Sequence, residues 1–222
     1  MTISVVIPTL DEADCITRAV ESVIGPGVEV IVVDGGSRDG TTRLAREAGA
    51  RVLPCERGRA RQLRCGGEQS TGDVVVFLHA DTVLSAGWQE DLLGALADPS
   101  CAGGAFSFRF AQRGWRERWI ERGVGLRNAL FRLPYGDQAI FMRRSVLEQM
   151  DGVPIVPIFE DLDLVHATKR AGRLEILALA ATTSSRRYAE RGAWRTILQH
   201  FVALIGWQLG WDRARLARWL GR

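Results

Sequence analysis

The chain has 222 residues, is 46% hydrophobic and carries a formal net charge of +3. That is enough apolar material for a sizeable core, which excludes wholesale disorder, and the length allows one large domain or one domain with a small appendage. No stretch reaches the roughly 18 consecutive apolar residues of a membrane span, and Cys15, Cys55, Cys65 and Cys101 are neither spaced for a metal site nor dense enough for a disulfide scaffold. A reduced, cytoplasmic compartment is the expectation, and the start of the chain lacks the basic end and long apolar run of a secretion signal. Nearly all the positive charge is arginine, since Lys169 is the sole lysine; with Asn128 the sole asparagine, this reads as compositional bias.

In chain order, Ile3 to Ile7 is a first strand, Pro8 to Glu12 a turn and Ala13 to Ile24 a helix, broken by Gly25-Pro26-Gly27. Val28 to Val33 is a second, β-branched strand, followed by the loop Asp34-Gly35-Gly36-Ser37-Arg38-Asp39-Gly40 and a helix over Thr41–Ala48. A short strand at Arg51–Leu53, a helix over Gly58–Glu68 and a strand at Val74–Leu78 continue the alternation, and Ser85 to Ala97 reads as a helix. Alternating strands and helices predict an α/β fold, a Rossmann-like, mostly parallel central sheet with helices on both faces. Beyond residue 100 the rhythm changes. Ala102–Phe110 is extended, Gly114–Leu130 an arginine-rich helix, Ala139–Met142 a short strand and Glu160–Ala171 a helix. With no linker in sight, this half is expected to extend the same sheet.

Ligands of open α/β sheets bind at the carboxyl ends of the strands. Asp34 stands there, where it can accept hydrogen bonds from a base or ribose, and the glycines beside it let the backbone approach a ligand. A plain turn capping the next helix fits the same loop. Asp81 follows the fourth strand in His79-Ala80-Asp81-Thr82, placed to hold Mg²⁺ or Mn²⁺ with substrate phosphates, His79 assisting; a helix cap is the bland alternative. Glu160-Asp161-Leu162-Asp163 follows the apolar run Ile155–Phe159. These acids suit a helix N-terminus, or a base behind a lid. Gly136-Asp137-Gln138 is a turn before a strand. Gly58-Arg59-Ala60-Arg61-Gln62 is either a phosphate-facing helix N-terminus or a solvated arginine face, and Arg186-Arg187 either a diphosphate clamp or a surface loop.

Taken together, Val6 to Glu12, Asp34 to Ser37, Gly58 to Gln62, Leu78 to Thr82, Gly136 to Gln138 and Glu160-Asp161 stand in the order seen in family 2 glycosyltransferases. The resemblance runs from residue 3 to about 190. His79-Ala80-Asp81, Glu160 to Leu164 and the compact length look most like a small bacterial subgroup, the rSAM/selenodomain-associated or arsenosugar-biosynthesis transferases. The resemblance implies a GT-A fold, a nucleotide-sugar donor and a divalent cation, Mg²⁺ or Mn²⁺. It implies a donor site of Pro8, Leu10, Glu12, Asp34, Gly36, Arg59, Gln62, Ala80 and Asp81, with Asp81 on the metal. Asp161 would be the catalytic base with Glu160 beside it, Asp137 and Gln138 would meet the sugar or acceptor, and Arg186 and Arg187 the diphosphate. The first carboxylate of the usual Asp-x-Asp motif is His79 here. The Gln-x-x-Arg-Trp signature of processive members is absent, which points to a single transfer rather than polymer synthesis; one base and one direct displacement imply inversion, and the family resemblance implies transfer of a hexosyl unit.

Two other readings share these features. A nucleotidyltransferase would show a basic glycine-rich loop after strand one, where this chain has Pro8-Thr9-Leu10-Asp11-Glu12. A non-catalytic nucleotide-binding or membrane-associated scaffold fits the missing carboxylate but not the intact Asp34, Asp81 and Asp161. The domain is expected over residues 1–190, with a helical extension over 191–222. From Trp194 to Trp211 that extension is apolar almost all round, and Arg213, Arg215, Arg218 and Arg222 follow. It is expected to pack on the domain or against a second copy, or else to touch an anionic membrane surface peripherally and meet a lipid acceptor there. The donor's nucleotide and sugar stay open, as does the acceptor, small molecule or lipid; nucleic acid is not an expected partner.

Overall fold

The computed structural model describes residues 1–112, 114–184, 199, 202–207 and 209–221. Arg186, Arg187, Arg222 and part of the Trp194–Trp211 stretch lie outside the described residues. Among the described residues, one eight-stranded sheet carries the fold: β1 (Ile3–Thr9), β2 (Val28–Asp34), β3 (Arg51–Pro54), β4 (Val74–Phe77), β5 (Thr82–Leu84), β6 (Cys101–Phe110), β7 (Ile140–Arg143) and β8 (Arg173–Thr183). Their order is β3-β2-β1-β4-β7-β6-β8-β5. The β3-β2-β1-β4 half is parallel throughout. The other half is mixed: β7 runs antiparallel to β4 and β6, β8 is parallel to β6, and β5 is antiparallel to β8. The second half thus extends the first sheet, as expected, but the parallel run stops at β4.

Helices α1 (Ile16–Glu21), α2 (Thr41–Glu47) and α4 (Trp88–Leu96) cover one face. On the other lie α3 (Arg59–Gln69), α6 (Arg144–Gln149) and α7 (Glu160–Ala171). The strand pleat sorts the apolar side chains between them. Ile3, Val5 and Ile7 pack with Ile16, Val20, Ala45 and Leu92, whereas Val6 packs with Leu63, Leu147, Leu162 and Val165. Both faces are buried, which is why β1, β2 and β4 read as continuous apolar runs. Helix α3 lies very close to β1 and β2. A Cβ on Gly66 would come within 2.9 Å of Val33 Cγ2, besides colliding with Val6, so only glycine allows this approach, which sets where Arg59 and Gln62 stand.

The first helix is shorter than expected, because residues 13–15 form a turn. Three elements went unread: β5, β8 and α6. The three residues of β5 and six of α6 are too few for a hydrophobic period. In β8 the run Leu174-Glu175-Ile176-Leu177-Ala178-Leu179 carries helix formers, and pairing along β6 overrides that preference. Helix α5 (Trp115–Phe131) flanks β6 and buries one residue, Asn128.

Residues 202–207 are helical, and α8 (Arg213–Trp219) follows, capped by Asp212, which accepts from Arg215 N at 2.8 Å. Ala203, Leu216, Ala217 and Leu220 pack on Ile158. Arg213 donates twice to the Asp163 carboxylate, at 2.6 and 2.8 Å, and Trp207 lies against Phe159 and His166. The C-terminal segment therefore rests on the apolar loop before α7 and on α7's first turns. Ile205, Leu209 and Trp211 stay exposed.

Candidate functional site

The loops after β1 and β2 are tied together. Asp11 N donates to Ser37 Oγ at 2.9 Å, Arg38 N to Asp11 Oδ1 at 2.8 Å, Glu12 N to Thr41 Oγ1 at 2.9 Å and Ala13 N to Asp39 Oδ2 at 2.9 Å. Pro8, Leu10 and Glu12 stand half-buried in this double loop. Asp34 ends β2 in register with Thr9 and is buried. Its carboxylate accepts Gly36 N and Ser37 N, each at 3.0 Å, and lies 3.4 Å from Thr9 Oγ1. Gly36 has φ +99° and open space where a Cβ would stand, so the loop leaves room beside Asp34. The turn and the site are one structure: the carboxylate that shapes the loop is the group at the strand end.

Gln62, expected to meet the donor, is buried, and its amide nitrogen donates to the Thr9 and Val33 carbonyls at 2.8 Å each. It pins α3 to the ends of β1 and β2. Its place is that of a positioning residue, because a buried amide takes main-chain partners when they are in reach.

After β4, Ala80 is buried in the core while His79 and Asp81 are half-buried at the sheet edge. Asp81 is held lightly: Thr183 Oγ1 stands 3.5 Å from its Oδ1, and Ser184 N donates to its carbonyl at 3.2 Å. His79 Nε2 faces Arg59 Nη2, and Arg59 Nε lies 3.0 Å from Glu160 Oε1. Glu160 is buried, so a chain of contacts crosses from β4 through α3 to α7. That fixes Glu160 as a partner of Arg59 and leaves the next residue, half-buried Asp161, toward the turn at Gly136–Gln138. Asp161 Oδ2 accepts Gly136 N at 2.9 Å and its Oδ1 accepts Leu162 N at 2.9 Å. Phe159, just before, has φ 67°.

Gly136 is the hub. A Cβ there would collide with Arg59 Nη2 and stand 3.1 Å from His79 Nε2 and 3.3 Å from Asp161 Oδ2. Asp137, the next residue, is pushed up to about 6, first by burial, with Arg127 opposing, Asp161 adding, Arg59 opposing and Asp81 adding. The field at Asp137 thus records that Asp81 and Asp161 stand near it. Gln138 is fully buried. Its amide nitrogen donates to Phe106 O at 2.9 Å, and its oxygen accepts Arg127 Nη2 at 2.9 Å. The expected contact of Gln138 with sugar or acceptor is therefore replaced by a structural knot that holds the turn. Arg127, which also stacks 3.6 Å from the centre of the Tyr135 ring, was missed. Nothing in an arginine-rich helix singles it out.

The arrangement collects Asp34, Asp81, Asp137 and Asp161 along one edge of the sheet, with Arg59 and His79 among them. Oxygen donors of this kind suit a hard divalent cation. Among the described residues, no three His, Cys, Asp or Glu side chains are grouped closely enough to hold a metal unaided. No helix among them is long and apolar enough to cross a membrane.

A family model described as glycosyl transferase family 2 matches residues 4–150. Among curated proteins, the chain is 41% identical over 96 residues to a glucosyl-3-phosphoglycerate synthase of Mycolicibacterium paratuberculosis, covering 37% of this chain and 29% of that protein. It is 28% identical over 172 residues to an undecaprenyl-phosphate 4-deoxy-4-formamido-L-arabinose transferase of Pseudomonas paraeruginosa, covering 67% and 49%. The chain thus spans less than half the length of either relative. Among solved structures it resembles glucosyl-3-phosphoglycerate synthase from Mycobacterium tuberculosis in complex with Mg²⁺ and UDP, with TM-score 0.66 and 21% identity over 95% of this chain and 80% of that one. It also resembles a mannosyltransferase from Pyrobaculum calidifontis in complex with GDP-Man and Mn²⁺, with TM-score 0.63 and 20% identity over 90% and 61%. At these identities the likeness shows the fold, the GT-A arrangement expected from the sequence.

Proposed function

The chain belongs to glycosyl transferase family 2, and on that premise we propose that it moves a sugar from a nucleotide-sugar donor to an acceptor hydroxyl in one inverting, non-processive transfer. The observation that carries this reading is the convergence of Asp34, Asp81, Asp137 and Asp161 on one sheet edge. Each has a separate task there. Asp34, with Pro8, Leu10, Glu12 and Gly36 around it, takes the nucleotide. Asp81, beside Ala80, holds a divalent cation together with the donor diphosphate, and the match of one half-buried carboxylate to such a cation supports this. Asp81 would hold Mg²⁺ or Mn²⁺ there, which would supply positive charge opposite the diphosphate. Arg59 lies close by, and Arg186 and Arg187 are proposed to reach the same diphosphate.

Asp161 is the proposed base. It takes the proton of the acceptor hydroxyl as that oxygen bonds to the anomeric carbon. The bond from that carbon to the diphosphate oxygen breaks, and its electron pair leaves with the diphosphate. A single displacement inverts the anomeric centre. The two main-chain N–H groups on Asp161 fix its orientation, which is the condition for efficient proton transfer. Glu160, buried against Arg59, and Gln138, knotted to Phe106 and Arg127, position the site, while Asp137 faces sugar or acceptor. Within the family, His79-Ala80-Asp81 and Glu160 to Leu164 support a place in the rSAM/selenodomain-associated subgroup.

The two similar structures hold UDP and GDP-Man, so both nucleotides belong in the test. The protein is heated with UDP-, GDP- and dTDP-sugars in the presence of Mn²⁺, and nucleoside diphosphate release is followed. One donor class raising the melting temperature and being turned over supports the reading. No shift and no release with any donor overturns it.

A further inference from the structure

Helix α5 (Trp115–Phe131) carries an exposed apolar stripe. At 3.6 residues per turn, Trp115, Trp119, Leu126 and Leu130 fall within about 60° of arc. All four are more than 60% exposed, so this apolar stripe points away from the sheet. Asn128, with half-buried Ile120 and Val124, faces the protein instead. Charge is sorted in the same way. Arg116, Arg118 and Arg122 are exposed beside the stripe, and Arg116 and Arg122 lie over the Trp115 and Trp119 rings at 5.4 and 6.0 Å. The helix's two acids, Glu117 and Glu121, are half-buried, and Glu121 accepts Phe110 N at 2.9 Å. The outward face is therefore apolar and cationic, with no carboxylate on it.

We propose that this outer face of α5 docks the protein on an anionic lipid surface. Tryptophan rings favour the boundary between headgroups and acyl chains, and arginines beside them favour anionic headgroups. A second copy of the chain fits less well, since a two-fold contact through this face would set three arginines against three arginines. The placement also matters for the site. Arg127 of α5 hydrogen-bonds Gln138 and stacks on Tyr135, so the docked helix is joined to the turn that carries Asp137. Docking through α5 presents that side of the cleft at the surface of the bilayer.

The test is flotation of the full chain with vesicles of phosphatidylcholine alone and with phosphatidylglycerol added, at low and high salt. Binding is expected only with phosphatidylglycerol and is lost at high salt. Replacing Arg118 and Arg122 by Gln lowers the partition about fivefold for each arginine, and Trp115→Ser with Trp119→Ser abolishes it, while the melting temperature stays that of the parent. Failure to bind these vesicles at low salt overturns the proposal. So does undiminished binding of the tryptophan variant, or binding lost instead in Trp211→Ser with Trp219→Ser, which places the contact on the C-terminal segment. A dimer in sedimentation velocity that the Trp119→Ser variant dissolves assigns the face to a second copy and also overturns it. Donor release is measured separately in the absence of lipid, so a failure of docking leaves the transferase reading intact.

Discussion

Asp161 Oδ2 accepts the main-chain N–H of Gly136 at 2.9 Å, across a sequence separation of 25. One hydrogen bond thereby ties the start of α7 to the turn that carries Asp137. Because the bond is made to main chain, its donor is independent of the side chain at 136, yet the side chain there must be absent.

Asp161→Asn is expected to keep donor affinity and to lower turnover by about 10²–10⁴-fold, the range of a positioned general base. Calorimetric titration of the donor and single-turnover transfer measure the two quantities. Near-parental turnover removes Asp161 from the role of base.

Gly136→Ala brings a methyl group into Arg59, His79 and Asp161 at once. At least one of the three must move, and a misplacement of about 1 Å costs on the order of 10²-fold in rate. The variant should fold, since no positive φ is required at 136. Full activity in a folded Gly136→Ala protein means that these groups do not act as one constellation.

Asp34→Ala leaves the N–H groups of Gly36 and Ser37 without their acceptor, at a cost of about 1–3 kcal/mol in stability. Nucleoside diphosphate binding is expected to weaken as well. Urea unfolding reads the first effect and calorimetry the second. Unchanged nucleotide affinity limits Asp34 to shaping its own loop.

Asp137 makes stability depend on pH. Its carboxyl is raised to about 6 in the folded protein, chiefly by burial, and lies near 3.9 in an unfolded chain. The folded state therefore holds this proton more tightly. The contribution is complete below about pH 4 and is lost as pH rises through 6, a fall on the order of 3 kcal/mol. In Asp137→Asn that fall disappears. Urea midpoints of both proteins at pH 4.5 and 7.5 check it, and a parent–variant difference that is the same at both values contradicts the assignment.

With one protein carboxylate at the proposed metal position, Mn²⁺ should bind weakly to the donor-free protein and more tightly once a nucleoside diphosphate supplies further oxygens. Electron paramagnetic resonance of Mn²⁺ with and without UDP or GDP reads free against bound ion. Tight binding without nucleotide points to protein ligands beyond Asp81.

Local sequence determined the alternation of β1, α1, β2, α2, β3, α3 and β4, and with it the ends of strands at which Asp34 and Asp81 stand. The reason is that hydrophobic period and glycine punctuation act over a few residues. The same holds for Glu160 and Asp161 at the head of α7. Tertiary structure alone decided β5 and β8, whose pairing along the far edge of the sheet overrides a helix-forming run. It also decided what each motif side chain touches. Gln62 turns to the carbonyls of Thr9 and Val33, and Gln138 to Phe106 and Arg127, because a buried amide must be satisfied by whatever packing brings near. Arg59 joins His79 and Glu160 only because Gly66 lets α3 lie close against β1 and β2. Spacing along the chain places a carboxylate at a strand end; only the packing of helices on the sheet settles which carboxylates meet, and at what protonation.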